Sequence, residues 1–254
     1  MRKKIEKIII KAGKKLLKYY GTLKKNDIEF KNPIDLVTKA DKEIEIFLRK
    51  ELKKVFPDVG FMGEEEGIFG ENQNKIFIVD PLDGTTNFVH TYPFFAISVG
   101  YRENNITKMG FVYLPYFKTM YFAEKDKGAF KNKIQLKVSK TEKLIDSLTV
   151  TGFACVRSNK KPDNLPILNK VVYKVRGVRR DGSAAIDLCL VAEGVFDAFW
   201  ELNLNSWDIA AGVLIVQEAG GLVTDFSNNF EFEKKKEILA TNSHIHNDFL
   251  NLIR

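Results

Sequence analysis

The sequence predicts a layered α/β fold, and three observations carry that prediction. Apolar residues recur at helical spacing through residues 5–19 and 44–52. The run Lys75-Ile76-Phe77-Ile78-Val79 is short, apolar and rich in β-branched side chains, and it opens a series of strand-like pieces. From residue 148 onward helical and strand-like segments alternate, a pattern that favours helices packed in layers against sheets.

The elements follow in order. Ile5, Ile8, Ile9, Ala12, Leu16 and Tyr19 share one face of a first helix, which Gly21 ends. Lys3, Lys4, Lys7, Lys11, Lys14, Lys15 and Lys18 lie on its polar side. A second helix spans about 41–55, buries Ile44, Phe47, Leu48 and Leu52, and is stopped by Pro57. The strand at 75–79 is expected to end at Asp80. Strands at 94–101, 109–113 and 120–123 form a meander whose first turn is Asn104-Asn105. Beyond it come a strand at 148–151, a helix at 164–174, a helix from Ser183 to Ala192 closed by Gly194, and a strand at 196–200. Ser206 is expected to cap an apolar helix that ends at Gly220-Gly221. Strands at 222–225 and 238–241 precede a last helix capped by Asn242 or Ser243. These elements divide into a lobe at 1–140 and a lobe at 141–254, close-packed as one unit around a shared cleft.

Bulk properties exclude several classes. The chain has 254 residues, of which 44% are apolar, enough for a large core. No stretch approaches the ~20 apolar residues of a spanning helix. The N-terminus interrupts its apolar run with charges and does not read as a signal peptide. Cys155 and Cys189, the only cysteines, sit among apolar neighbours as reduced buried thiols. A soluble cytoplasmic protein without membrane contact is expected. The net charge is +7 and the pI about 9.1. Nucleic acid and an anionic substrate are both reasons for such a charge. The basic residues are scattered lysines and a short loop run, Lys234-Lys235-Lys236, without interleaved aromatics, so a solvated surface is the better reading and nucleic acid is disfavoured.

The chemistry centres on Asp80-Pro81-Leu82-Asp83-Gly84-Thr85-Thr86. Asp80 leaves the carboxyl edge of a strand, where open α/β sheets bind ligands. Asp83 returns a second carboxylate, and Gly84 lets the backbone approach a ligand closely. The N–H groups of Gly84, Thr85 and Thr86 then suit an anion. Oxygen-only ligands beside an anion cradle suit Mg2+ rather than zinc. A plain turn after a strand is the competing reading. Glu64, Glu65 and Glu66 stand together between two glycines, as a metal site or a solvated loop. Asp208 opens an apolar helix, as a ligand or as an acid favoured by the helix dipole. Gly182-Ser183-Ala184-Ala185 puts small residues at a helix start, to admit a ligand or simply to cap.

Together these segments resemble the inositol monophosphatase family, within the lithium-sensitive, Mg2+-dependent phosphatase superfamily. The resemblance spans Asp35-Leu36-Val37-Thr38-Lys39-Ala40-Asp41, Gly63-Glu64-Glu65, residues 80–88, Gly182-Ser183-Ala184-Ala185, Trp207-Asp208-Ile209-Ala210-Ala211-Gly212 and Glu218-Ala219-Gly220-Gly221. It implies an αβαβα sandwich, a homodimer, and hydrolysis of a small phosphorylated polyol or sugar by a water activated on two or three Mg2+ ions. Glu64, Asp80, the carbonyl of Leu82, Asp83 and Asp208 match the family's metal positions. Thr85 and Asp41 match the pair that orients the attacking water, with Glu64 a third catalytic group. Gly84, Thr85 and Thr86 match the phosphate cradle, which Asp83 and Asp208 flank. Gly182, Ser183 and Ala184 match the wall against the substrate ring, and Glu201 a carboxylate that binds its hydroxyls. Lys31 matches a basic loop residue, and Glu65 adjoins the first ligand.

No histidine nucleophile is required: His90 is expected near the cleft mouth, and His244 and His246 on the surface of the last helix. Asp181 departs from the family pattern by adding charge beside the wall. Asp83-Gly84-Thr85-Thr86-Asn87-Phe88 looks like the inositol 1-phosphate branch. A broader sugar phosphatase that takes fructose 1,6-bisphosphate is one alternative. A regulatory RNA- or polymerase-binding protein of the same fold is the other.

Overall fold

Helix α1 (Arg2–Leu16) forms where the apolar spacing placed it: Ile5, Ile8, Ile9, Ala12 and Leu16 are buried while its lysines face solvent. The structure is a computed structural model describing residues 1–32, 35–70, 72, 74–157 and 161–254, with backbone alone at 30–32, 35 and 157. After α1 a hairpin of β1 (Ile28–Asn32) and β2 (Asp35–Thr38) leads into α2 (Lys39–Val55). There follow β3 (Gly60–Gly63), β4 (Gly67–Phe69), β5 (Lys75–Asp83) and the short α3 (Thr85–Val89). The meander is β6 (Ala96–Glu103), β7 (Ile106–Leu114), β8 (Thr119–Glu124), β9 (Ala129–Lys131) and β10 (Ile134–Gln135). Asn104 and Asn105 both take positive φ, 50° and 62°, in the turn between β6 and β7.

The second half runs β11 (Leu148–Thr151), α4 (Ala154–Arg157), α5 (Leu165–Val171), β12 (Gly177–Arg179), α6 (Ala184–Ala192), β13 (Ala198–Leu202) and α7 (Ser206–Glu218). It closes with β14 (Leu222–Thr224), α8 (Phe232–Lys235), β15 (Glu237–Thr241) and α9 (His246–Ile253). The larger sheet has the order β10-β9-β8-β7-β6-β5-β3-β4, and the smaller β12-β11-β13-β15-β14.

Apolar packing holds five layers together. Helices α1 and α2 pack on one face of the large sheet, against Phe77, Val79, Val99, Phe111 and Phe122. Helices α6 and α7 fill the space between the two sheets, meeting Val112 and Tyr121 on one side and Val150, Phe199 and Ala240 on the other. Helices α5 and α9 cover the outer face of the small sheet around Trp200 and Leu239. Each fully buried Ile, Leu or Phe contributes about 1.5–3 kcal/mol to this arrangement. The result is an αβαβα sandwich.

Close approach seats α7. A Cβ added at Gly110 on β7 would lie 2.6 Å from the carbonyl oxygen of Ala211 and 3.0 Å from its Cα, so only glycine lets the helix lie this near the sheet.

The structure corrects several local expectations, among them the cap of the last helix: the N-cap of α9 is Ile245, not Asn242 or Ser243. Strand β5 does not end at Asp80. It continues to Asp83 through a bulge, because Pro81 has no N–H for the ladder and the N–H of Leu82 is taken by Asp80 Oδ1 at 2.9 Å. Asn205, not Ser206, is the N-cap of α7. Lys234 and Lys235 lie in the short helix α8 rather than a loop, and Lys236 ends it at φ 56°. Phe47 is only half-buried, with the Lys15 ammonium 4.9 Å from its ring centre. His246 is buried, 1% exposed, because its ring nitrogens meet the hydroxyls of Thr224 and Thr241 beneath α9.

Candidate active site

Helix starts aim the acids. Asp41 is the third residue of α2, and its Oδ2 accepts both the N–H (2.8 Å) and the hydroxyl (2.6 Å) of Thr38. Its other oxygen accepts the hydroxyl of Thr85 at 3.0 Å, a hydroxyl that also lies 3.0 Å from the carbonyl of Leu82. Burial outweighs these bonds and pushes Asp41 up to about 6. Asp208 is likewise the third residue of its helix, α7, where its Oδ2 accepts the N–H of Asn205 at 2.7 Å. The modest readings of Asp208 and Ser183 as capping residues therefore hold alongside any further role.

Asp80 follows from strand periodicity. Ile76, Ile78 and Asp80 share one face of β5, and the two isoleucines pack against Ala210 of α7, with Trp207 alongside. Asp80 is 2% exposed and is directed to the side where α7 begins. Asp83, past the bulge, is held by the other half of the chain. Its Oδ2 accepts the Ser183 hydroxyl and the Ala185 N–H, each at 2.7 Å. Ser183 in turn caps α6, its Oγ accepting the Ile186 N–H at 3.3 Å.

These acids feel one another. Asp80 is held well above the usual carboxylate range, first by burial, then by the charges of Glu64, Asp83 and Asp208. Asp208 is raised by burial and by Glu64, Asp83 and Glu201. Asp83 is pushed up to about 6 by desolvation, against its bonds from Ser183 and Ala185 and with the charge of Glu64 beside it. Glu64 comes from the turn between β3 and β4, Glu201 from β13. Five carboxylates from the β3–β4 turn, β5, β13 and α7 thus share one electrostatic neighbourhood.

The turn after Asp83 requires glycine. Gly84 has φ 92°, and a Cβ there would stand 2.8 Å from the Phe94 carbonyl oxygen. Thr85 and Thr86, both partly exposed, form the first turn of α3, ahead of its first backbone bond from Phe88 N–H to Gly84 O at 3.0 Å. On the wall, Ser183 is 2% and Ala184 8% exposed, and Gly182 has φ 87°. Glu201 is 5% exposed and accepts the Ala154 N–H at 3.2 Å.

Three residues here were missed by sequence reasoning. Asn87, 8% exposed, donates from Nδ2 to the carbonyls of Phe94 and Asp181, each at 2.7 Å, and so ties the turn to the wall. Asp187, 1% exposed in α6, is pushed well up by burial and then by Asp181, Glu201 and Asp83. Its Oδ1 has no hydrogen-bond partner. The signal for it was an acid inside an apolar helix. Glu45 of α2 is the third, 0% exposed on the face that carries Asp41 one turn earlier and Arg49 one turn later.

Other expectations fall elsewhere. The side chain of Lys31 lies outside the described residues. Glu65 is partly exposed beside Glu64. Asp181 is raised by burial and lowered by Arg179 and Arg180. His90 and His244 are exposed. Cys155 and Cys189 are buried.

Among the described residues no three Asp, Glu, His or Cys side chains close into a ready-made metal cage. The hydrogen bonds explain why: Asp41, Asp80, Asp83 and Asp208 each turn an oxygen to an N–H or hydroxyl, and like charges keep apart. The donor set is oxygen alone, buried and mutually repelling, which fits a hard divalent cation. Acids so gathered, next to a glycine-bounded turn at a helix start, have the chemistry that suits an oxyanion together with such a cation.

Comparison with known proteins narrows that class. The chain matches the inositol monophosphatase family over residues 1–254. It is 40% identical over 248 residues to an inositol-1-monophosphatase of Caulobacter vibrioides, covering 96% of this chain and 97% of that one. It is 38% identical over 251 residues to a fructose-1,6-bisphosphatase/inositol-1-monophosphatase of Aquifex aeolicus, covering 98% and 94%. The crystal structure of the extragenic suppressor protein suhB from Bartonella henselae superposes with a TM-score of 0.94 at 38% identity, covering 100% and 98%. The chain belongs to the inositol monophosphatase family, and it is a phosphoric monoester hydrolase.

Proposed function

We propose that this enzyme hydrolyses the phosphate monoester of a small polyol, with inositol 1-phosphate as principal substrate and inositol and phosphate as products. The observation that carries the reading is the electrostatic convergence of Glu64, Asp80, Asp83 and Asp208 beside the Gly84 turn. In this reading the cleft lies between lobes 1–140 and 141–254. Glu64, Asp80, the Leu82 carbonyl, Asp83 and Asp208 hold two or three Mg2+ ions. Bound Mg2+ supplies neutralising charge at the phosphate and the leaving oxygen and makes water acidic enough to react.

The chain's own groups do the rest. Thr85 gives its hydrogen to Asp41 or to the Leu82 carbonyl, so its lone pairs are left to accept from a water and orient it. Glu64 and Asp41 complete that catalytic set. The N–H groups of Gly84, Thr85 and Thr86 face the phosphate, with Asp83 and Asp208 at its flank. Gly182, Ser183 and Ala184 shape the wall, and Glu201 accepts hydroxyl hydrogens. Lys31 and Glu65 are the further candidates for substrate contact in this reading.

A broader specificity is the second reading, favoured by the name of the Aquifex aeolicus relative, which includes fructose-1,6-bisphosphatase. A panel of inositol 1-phosphate, fructose 1,6-bisphosphate, a 3′-phosphonucleotide and NADP, each with Mg2+, separates the two. Release of phosphate from none of them overturns the proposal. The same preparation tests three companions of the reading: inhibition by lithium, a homodimer by analytical ultracentrifugation, and a cytoplasmic location by fractionation.

A further inference from the structure

Below Asp41, helix α2 carries two more charged residues on the same face. Glu45 and Arg49 follow at steps of four, the spacing that stacks side chains along one side of a helix. Glu45 uses both of its buried oxygens on one turn of chain. Oε2 accepts the Glu65 N–H at 2.9 Å and Oε1 the Glu66 N–H at 2.7 Å. Gly63 lies directly against that carboxylate, where an added Cβ would come within 2.3 Å of the carboxyl carbon. Arg49 pairs with the Glu66 carboxylate at 3.0 Å, and its guanidinium carbon stands 4.1 Å from the Phe69 ring centre.

One helix therefore grips the turn between β3 and β4 at Gly63, at two successive backbone amides and at the Glu66 side chain. Burying a fourth carboxylate beside Glu64, Glu65 and Glu66 is electrostatically uphill. An apolar side chain would pack there without that cost. What the carboxylate adds is direction, since two N–H groups bound to two oxygens fix the peptide planes that follow Glu64. The same helix holds Asp41 against Thr85, so α2 also sets how far the turn stands from the cradle.

The geometry points to Glu45, assisted by Arg49, as a positioning residue that holds the 63–67 turn so that Glu64 meets Asp80, Asp83 and Asp208. This inference rests on the proposed role of Glu64 as a cation ligand. Glu45 itself touches neither cation nor substrate.

The test uses Glu45→Gln, which keeps the shape but offers one acceptor and turns an NH2 group toward an N–H. Mn2+ binding to the metal-free protein is measured by titration calorimetry, with a cooperative thermal melt as the check on folding. The variant is expected to fold and to bind Mn2+ about tenfold more weakly, the scale of losing a ligand's supporting partner. The Mg2+ concentration for half-maximal hydrolysis rises in parallel, while KM at saturating Mg2+ stays near the wild-type value. Arg49→Met, which keeps the stem and loses the Glu66 pair, is expected to weaken Mn2+ binding less and in the same direction. Wild-type Mn2+ affinity in folded Glu45→Gln overturns the inference. If that variant does not fold, unchanged affinity in Arg49→Met overturns it. A wild-type protein that binds no Mn2+, or Asp83→Asn binding as the wild type does, overturns instead the reading beneath it.

Discussion

Acidification should remove stability through one side chain, His246. Its ring is 1% exposed and its hydrogen bonds fix the tautomer. The Thr224 hydroxyl donates to the Asp225 carbonyl at 2.8 Å, so it accepts from Nε2–H at 3.0 Å. Thr241 Oγ1 accepts the Ser243 N–H at 3.1 Å and donates to Nδ1 at 2.9 Å. A proton on Nδ1 would face the Thr241 hydrogen in a dry site, and burial accordingly holds the imidazole down to about 4 from 6.5. Between those values the unfolded chain binds a proton that the folded chain refuses. Stability is therefore whole above the unfolded value and falls as pH drops toward the folded one. At about 1.36 kcal/mol per pH unit the full effect is about 3 kcal/mol, of which about 2 kcal/mol is gone by about pH 5. Asp41 and Asp83, raised to about 6, work in the opposite sense, because the folded protein keeps their protons as pH falls. The decisive quantity is thus a difference: urea unfolding of wild type and of His246→Gln, each at about pH 7.5 and about pH 5. The wild type is expected to lose about 2 kcal/mol more than the variant between the two. Parallel losses would refute the reasoning.

Other perturbations test the site and its support. Asp83→Asn, or Asp208→Asn, should abolish Mg2+-dependent phosphate release while circular dichroism reports an intact fold. Chelation by EDTA should stop hydrolysis, and added Mg2+ should restore it together with a rise in melting temperature. Asn87→Asp keeps the shape but sets a carboxylate against two carbonyls, so kcat/KM should fall by about tenfold or more as cradle and wall separate. Gly110→Ala pushes a methyl into the Ala211 backbone and should cost about 1–3 kcal/mol in a urea titration.

Much of the molecule was legible in local sequence. Periods of helix and strand marked α1, α2, β5 and the meander, because burial of one face leaves its spacing in the chain. Asp208 at its helix start was visible because helix-start preferences are a matter of three or four residues. The hairpin of β3 and β4 was not, since its strands are four and three residues long and turn about a run of acids. The continuation of β5 past Asp80 was hidden by Pro81, which reads as a stop until the bulge shows where the Leu82 N–H goes.

By itself, then, the sequence determined the class of fold, the acids available and the family to which they belong. Tertiary structure alone decided which partners those acids have. Asp83 is held by Ser183 and Ala185, a hundred residues on. Glu45 and His246, which looked like ordinary helix positions, are buried by segments that return from elsewhere in the chain. The physical reason is range. Helix caps and periodicity are set by neighbours along the chain, whereas burial, and with it the charge a carboxylate or imidazole carries, depends on what packs over it.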